Sequence, residues 1–165
     1  MAVQTVGMEA AAVAVANTLT RYLNAKLDAI NALWNDGVQV PHPQGIYAYE
    51  TLEIPEYPAI QVMNAKGRLT DDMAPVYQGI AHSVVVEVIC MSNDKTDLQK
   101  QVLRYLLAIQ QALAEHPTLD GTLASCTGTA LTDYDVTGMA RHRSGPQMMQ
   151  AGRWLAVVQS EERLP

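Results

Sequence analysis

The acidic residues are the first place to look for chemistry. Asp71-Asp72 and the Asp133-x-Asp135 of "TDYDVTG" are carboxylate pairs able to hold a divalent ion or to trade a proton. Glu87, set among valines on an expected strand, is the one further acid that a fold could bring beside Asp133 and Asp135. Those three would suit a small metal-dependent hydrolase or nuclease. The pattern is thin for that role, because the D-x-D lacks the other oxygen ligands of a calcium loop and two-metal chemistry needs more acids on neighbouring strands. Turns and solvated surface account for these acids more simply.

Other chemistries have still less to work with. His42, His82, His116 and His142 show neither an H-x-x-x-H nor an H-E-x-x-H spacing, so a structural metal would need ligands converging from distant loops. His82, at the start of a strand, reads as a satisfied edge residue. The serines include no G-x-S-x-G elbow, and Cys90 and Cys126 lie in apolar surroundings without a C-x-x-C, as reduced core thiols do. The strand-to-helix junction "MSNDKTD" has no glycine to let backbone N–H groups approach a phosphate. Its aspartates already occupy the positive end of the helix. No cofactor site emerges from these residues.

Composition narrows the classes further. The chain has 165 residues, 48% hydrophobic and 17% charged, which fits one domain spanning 1–165 with a core large enough to need neither metal nor disulfide. A net charge of −6 with no run of Lys and Arg leaves little counterion release to drive groove binding to DNA. Such a surface suits DNA sliding past without sticking. The Ala-rich "EAAAVAVANTL" follows no basic segment and soon meets Arg21 and Lys26, so it reads as neither signal peptide nor membrane span, and the chain is expected to stay in the cytoplasm where it is made.

The positioning elements follow from periodicity. Val15, Leu19, Leu23, Leu27, Ile30 and Trp34 form one stripe of a long helix over 8–36, stopped by Asp36-Gly37. Residues 38–63 are broken by prolines and read as a loop with two hairpin-like strands, of which Ile60 to Met63 is the better one. Residues 64–80 are polar and aperiodic, an extended loop or arm. In 81–163, a strand alternating His82, Val84, Val86, Val88 and Cys90 is followed by a helix capped by Asn93 or Asp94 and striped by Leu98, Val102, Tyr105, Leu106, Ile109 and Leu113. Further strands close the chain, around the charged loop "GMARHRSGPQ" with Arg141 and Arg143. This order predicts an α+β fold, with a mainly antiparallel sheet, helices packed on one face and a long N-terminal helix.

The segments "IPEYPAIQVM", "AHSVVVEVICMSNDKTDLQKQVLRYLLAIQQAL", "TDYDVTG" and "WLAVVQSEER", taken in order from Glu56 to Arg163, resemble the tail-terminator and neck (head-to-tail joining) proteins of tailed bacteriophages. The resemblance implies a structural virion protein at the tail–neck junction, assembled in the host cytoplasm into a ring, typically a hexamer. Such a ring, built of subunits with a curved sheet, caps the tail tube and joins it to the neck or head-completion protein, and in sheathed tails meets the sheath, while DNA passes through the pore. It implies no active site, no cofactor and no membrane partner. The N-terminal helix and the proline-rich segment depart from the pattern and leave a head–tail connector of the neck as an alternative.

A closed ring needs two different complementary patches per subunit, because its contacts are heterologous. Lys66, Arg68, Asp71 and Asp72 in the arm, with Arg141 and Arg143 in the later loop, are the expected subunit or partner contacts. The arginines could pair with Asp71 or Asp72 of another copy. A single-partner adaptor using a sheet edge is a third possibility.

Overall fold

The computed structural model describes residues 8–49, 53–70, 77–121, 126–143 and 145–163. Two long helices pack on one face of an open six-stranded mixed sheet, an α+β fold. In chain order the elements are α1 (Met8–Leu33), β1 (Gly45–Tyr47), β2 (Ala59–Thr70), β3 (Tyr77–Ser92), α2 (Lys95–Glu115), a 3-10 turn (Leu119–Gly121), β4 (Cys126–Val136), β5 (Ala140–Arg141) and β6 (Met148–Arg163). The strands run in the order β1-β2-β3-β6-β4, with β5 beside the start of β6. Among the described residues only the β1–β2 pair is parallel. No helix among the described residues is long and apolar enough to cross a membrane.

The alternating apolar residues of the strands decide which face is covered. Ile60 and Val62 of β2, Val84, Val86, Val88 and Cys90 of β3, and Ala156 and Val158 of β6 are all fully buried against the helices. From α1 they meet Val15, Leu19, Leu23 and Leu27, and from α2 Leu98, Val102, Tyr105 and Ile109. The apolar stripe of α1 is continued by Ala11, Ala12, Ala14 and Ala16, small residues that permit a close approach. Gly152 of β6 lies close beneath α2: a Cβ there would lie 2.8 Å from Val102 Cγ1.

The helix ends follow from local chemistry. Asp94 caps α2, its carboxylate accepting from the N–H groups of Thr96 at 2.7 Å and Asp97 at 3.0 Å. The expected helix over 8–36 stops at Leu33, after which Asn31 exchanges hydrogen bonds with the backbone of Val40 and Gly37 takes φ +81°. Residues 34–41 form a strap across both helices. Arg104, buried on α2, donates to Val38 O at 2.7 Å and to Asp36 Oδ2 at 2.5 Å, and its guanidinium lies 4.8 Å from the Trp34 ring centroid. Tyr105 donates its hydroxyl to Pro41 O.

Three expectations change. Residues 64–70 and 77–80 are the paired ends of β2 and β3 instead of a loop, because a backbone ladder holds them where no apolar alternation exists. Among the described residues of 38–63 there is no hairpin: β1 is three residues long and runs parallel to β2. His82 lies inside the sheet, 3% exposed, with Nε2 3.2 Å from Ser160 Oγ.

Candidate functional site

With the helices on one face, the other face of the sheet is open, and cross-strand register shows what it presents. Met63, Val85 and Leu155 form one row, flanked by Asp133 on β4. The next row is Gln61, Glu87, Arg153 and Asp135. Residues directly opposite in an antiparallel pair share a face and interact, so Glu87 and Arg153 meet across β3 and β6. Arg153 Nε donates to Glu87 Oε2, and its Nη1 lies 4.0 Å from Asp135 Oδ2. Glu87 beside it, with Asp135 further off, holds the Arg153 guanidinium above its ordinary pKa.

Two of the three acids that suggested a metal centre therefore gather round a cation of the protein's own. Glu87 and Asp135 turn to Arg153, and Asp133 lies one row along beside Leu155. No group of three or more metal-capable side chains occurs among the described residues. The sequence held a signal for the pair: Glu87 and Arg153 are isolated opposite charges, each on a largely apolar strand. Only the register between strands 66 positions apart shows that they meet.

The expected contact residues fall in two places. Lys66 and Arg68 stand on β2 opposite Ser83 and Ala81, on the open face and at the sheet's edge. All six residues from 64 to 69 are exposed, although the strand is paired with β3. Asp71 and Asp72 lie outside the described residues. Arg141 ends β5, opposite Met148 at the far end of β6, and Arg143 follows in an exposed turn. Nine residues of β6 separate the rows of Lys66 and Arg141, about 30 Å at strand rise, so the structure does not bring these two sets together within one chain. Beside that turn, Tyr57 and His142 meet edge to face at 6.1 Å, within the lining of a cavity of about 670 Å³.

No protein-family model matches the chain, and no curated protein matches it. Among solved structures it is similar to a chain from "Virion of native gene transfer agent (GTA) particle", with a TM-score of 0.40 and 14% identity over 89% of this chain and 97% of that one. So loose a likeness carries no functional argument.

A second cluster has no mark in the sequence, because its members lie on separate elements. Tyr22 of α1 stacks on His116 with ring centroids 3.6 Å apart and donates its hydroxyl to Asp120, which His116 Nδ1 also approaches at 2.9 Å. Arg21 Nη1 is 3.6 Å away. Asp120 takes φ 51°, a left-handed conformation that these contacts hold in place. The Tyr22 hydroxyl, followed by His116, holds the Asp120 carboxyl below its ordinary range. With its carboxylate engaged from three sides, the cluster clamps the turn after α2 onto α1.

Proposed function

We propose that this chain is a structural virion protein, a ring-forming tail terminator that caps a phage tail tube and joins it to the neck. The alternative within the same class is a head–tail connector of the neck. The observation that carries the reading is the distal half of β2, six exposed residues held out as a strand where no core requires one. A domain that worked alone would gain nothing by ordering this ribbon, since ordering a residue's backbone costs roughly 1–2 kcal/mol. A subunit that meets neighbours gains a preformed contact. The sequence resemblance over Glu56 to Arg163 supports the same reading.

Lys66, Arg68, Asp71 and Asp72 at the arm, with Arg141 and Arg143 at the other end of the sheet, are the proposed contacts to neighbouring subunits, the tube and the neck protein. Two contact zones about 30 Å apart suit a ring that faces different partners on its two sides. The test is negative-stain imaging of the purified chain, alone and mixed with tail tubes built from the major tail protein of the same genome. Rings, or caps that fix tube length, are expected. Particles that stay single and ignore the tubes would overturn the terminator reading.

A further inference from the structure

The sheet has two uncovered edges, and they carry opposite charge. β1 pairs with β2 only at residues 59–61, so from Met63 to Leu69 the outer edge of β2 has no strand partner among the described residues. At the other side of the sheet, β4 pairs only with β6 among the described residues. On the open face the β2 edge presents Lys66 and Arg68, and the β4 edge presents Asp133 and Asp135, all four exposed. Unpaired strand edges are templates for pairing with another chain.

We propose that these edges are the two halves of one subunit contact: the β2 edge of one copy lies beside β4 of the next, with Lys66 and Arg68 against Asp133 and Asp135. The proposal rests on the ring reading and names the surface that would build the ring. Charge selects this pairing over its rivals. A twofold contact of β2 with β2 would set cations against cations, and one of β4 with β4 would set carboxylates against carboxylates, which is costly at close range. Only the head-to-tail arrangement matches opposite signs, and head-to-tail contacts are the kind that close into rings.

Geometry agrees in two further ways. Each charged pair is spaced by two residues on one strand face, about 6.7 Å, so both ion pairs form in a single register. Following the antiparallel pairs β2–β3, β3–β6 and β6–β4, β4 runs opposite to β2, so a neighbour added by rotation continues an antiparallel sheet. Arg68 then faces Asp133 when Lys66 faces Asp135. Within one chain the two edges stand three strand spacings apart, about 14 Å, too far for the pairs to meet.

The test uses two edge variants of the full chain, Lys66→Glu with Arg68→Glu, and Asp133→Lys with Asp135→Lys, each first checked by circular dichroism for an unchanged fold. Assembly is scored on tail tubes by negative stain and in solution by sedimentation. Each variant alone is expected to lose rings by about tenfold or more, since both of its edges then carry one sign. An equimolar mixture is expected to restore them as alternating copies. If the wild type forms rings and either variant alone still does, or the mixture fails to restore them, the edge contact is wrong while the ring reading stands. If the wild type forms no ring on or off the tube, the ring reading fails and takes this contact with it.

Discussion

Gly152 offers a sharp test of how the helix layer is seated on the sheet. An added Cβ would lie 2.8 Å from Val102 Cγ1 and 3.0 and 3.1 Å from Leu106 Cδ1 and Cδ2, well inside the ~3.5 Å at which carbon contacts become favourable. All three atoms belong to α2, so the clash pushes the helix away from β6. Overpacking of this kind costs roughly 1–3 kcal/mol. Gly152→Ala is therefore expected to lower the unfolding free energy by about that amount, and Tm by roughly 2–10 °C for a chain of this size. Val102→Ala removes the nearest atom and by itself costs about 1.5–3 kcal/mol through lost burial and a cavity. Combined, the two changes relieve each other, and the double variant should cost less than the sum by more than about 0.5 kcal/mol. Urea unfolding followed by circular dichroism gives the free energies. Tryptophan fluorescence reports the seating directly, because Trp154 Nε1 donates to Leu106 O at 2.8 Å and must move with it. A neutral Gly152→Ala, or free energies additive within about 0.3 kcal/mol, would refute the packing argument.

Two further outcomes are expected. Asp36, held down chiefly by Arg104 and then Lys100, and Asp120, held down chiefly by the Tyr22 hydroxyl, both have folded pKa values below the unfolded value of 3.8. Below about pH 4 the unfolded chain takes up protons that the folded chain refuses, so the stability these groups supply at neutral pH fades as pH falls toward their folded values. Tm measured from about pH 5 down to pH 3 should fall less steeply in Asp36→Asn and Asp120→Asn than in the wild type, and parallel slopes would contradict the assignment. Burial pushes the Cys90 thiol up to about 12, whereas Cys126 is only half-buried. Iodoacetamide near pH 8 should modify Cys126 alone in the folded chain and Cys90 only in urea, and equal native labelling would show that the core opens readily.

Much of this architecture was legible where one face of an element is dry and the other wet. The β3 alternation from His82 to Cys90 and the stripe of α2 stand in the structure as the periodicity implied, and of the two caps the sequence offered, Asn93 and Asp94, the structure uses Asp94. The ends of β2 and β3 were not legible, because residues 64–69 are wet on both sides and a ladder of backbone hydrogen bonds leaves no mark on side-chain pattern. The three residues of β1 were too short for alternation to declare itself, and nothing local specified that they run parallel to β2. Glu87, Asp135 and Arg153 were visible one by one, but that they meet became visible only when β6 took its place between β3 and β4.

That central place of β6 also sets an order of events during synthesis. Both of its flanks are filled, by β3 along its whole length and by β4 over most of it, yet it is translated after the other described strands. A nascent chain holding α1, β2, β3 and α2 has the apolar residues of β3 ready but lacks the strand that joins the halves of the sheet. At ribosomal rates the wait from Ser92 to the end of β6 lasts several seconds, ample time for an open β3 flank to meet another nascent chain. Genetic trimming should therefore be tolerated far better at the start of α1 than within β6, and a chaperone would have its natural point of engagement in that interval.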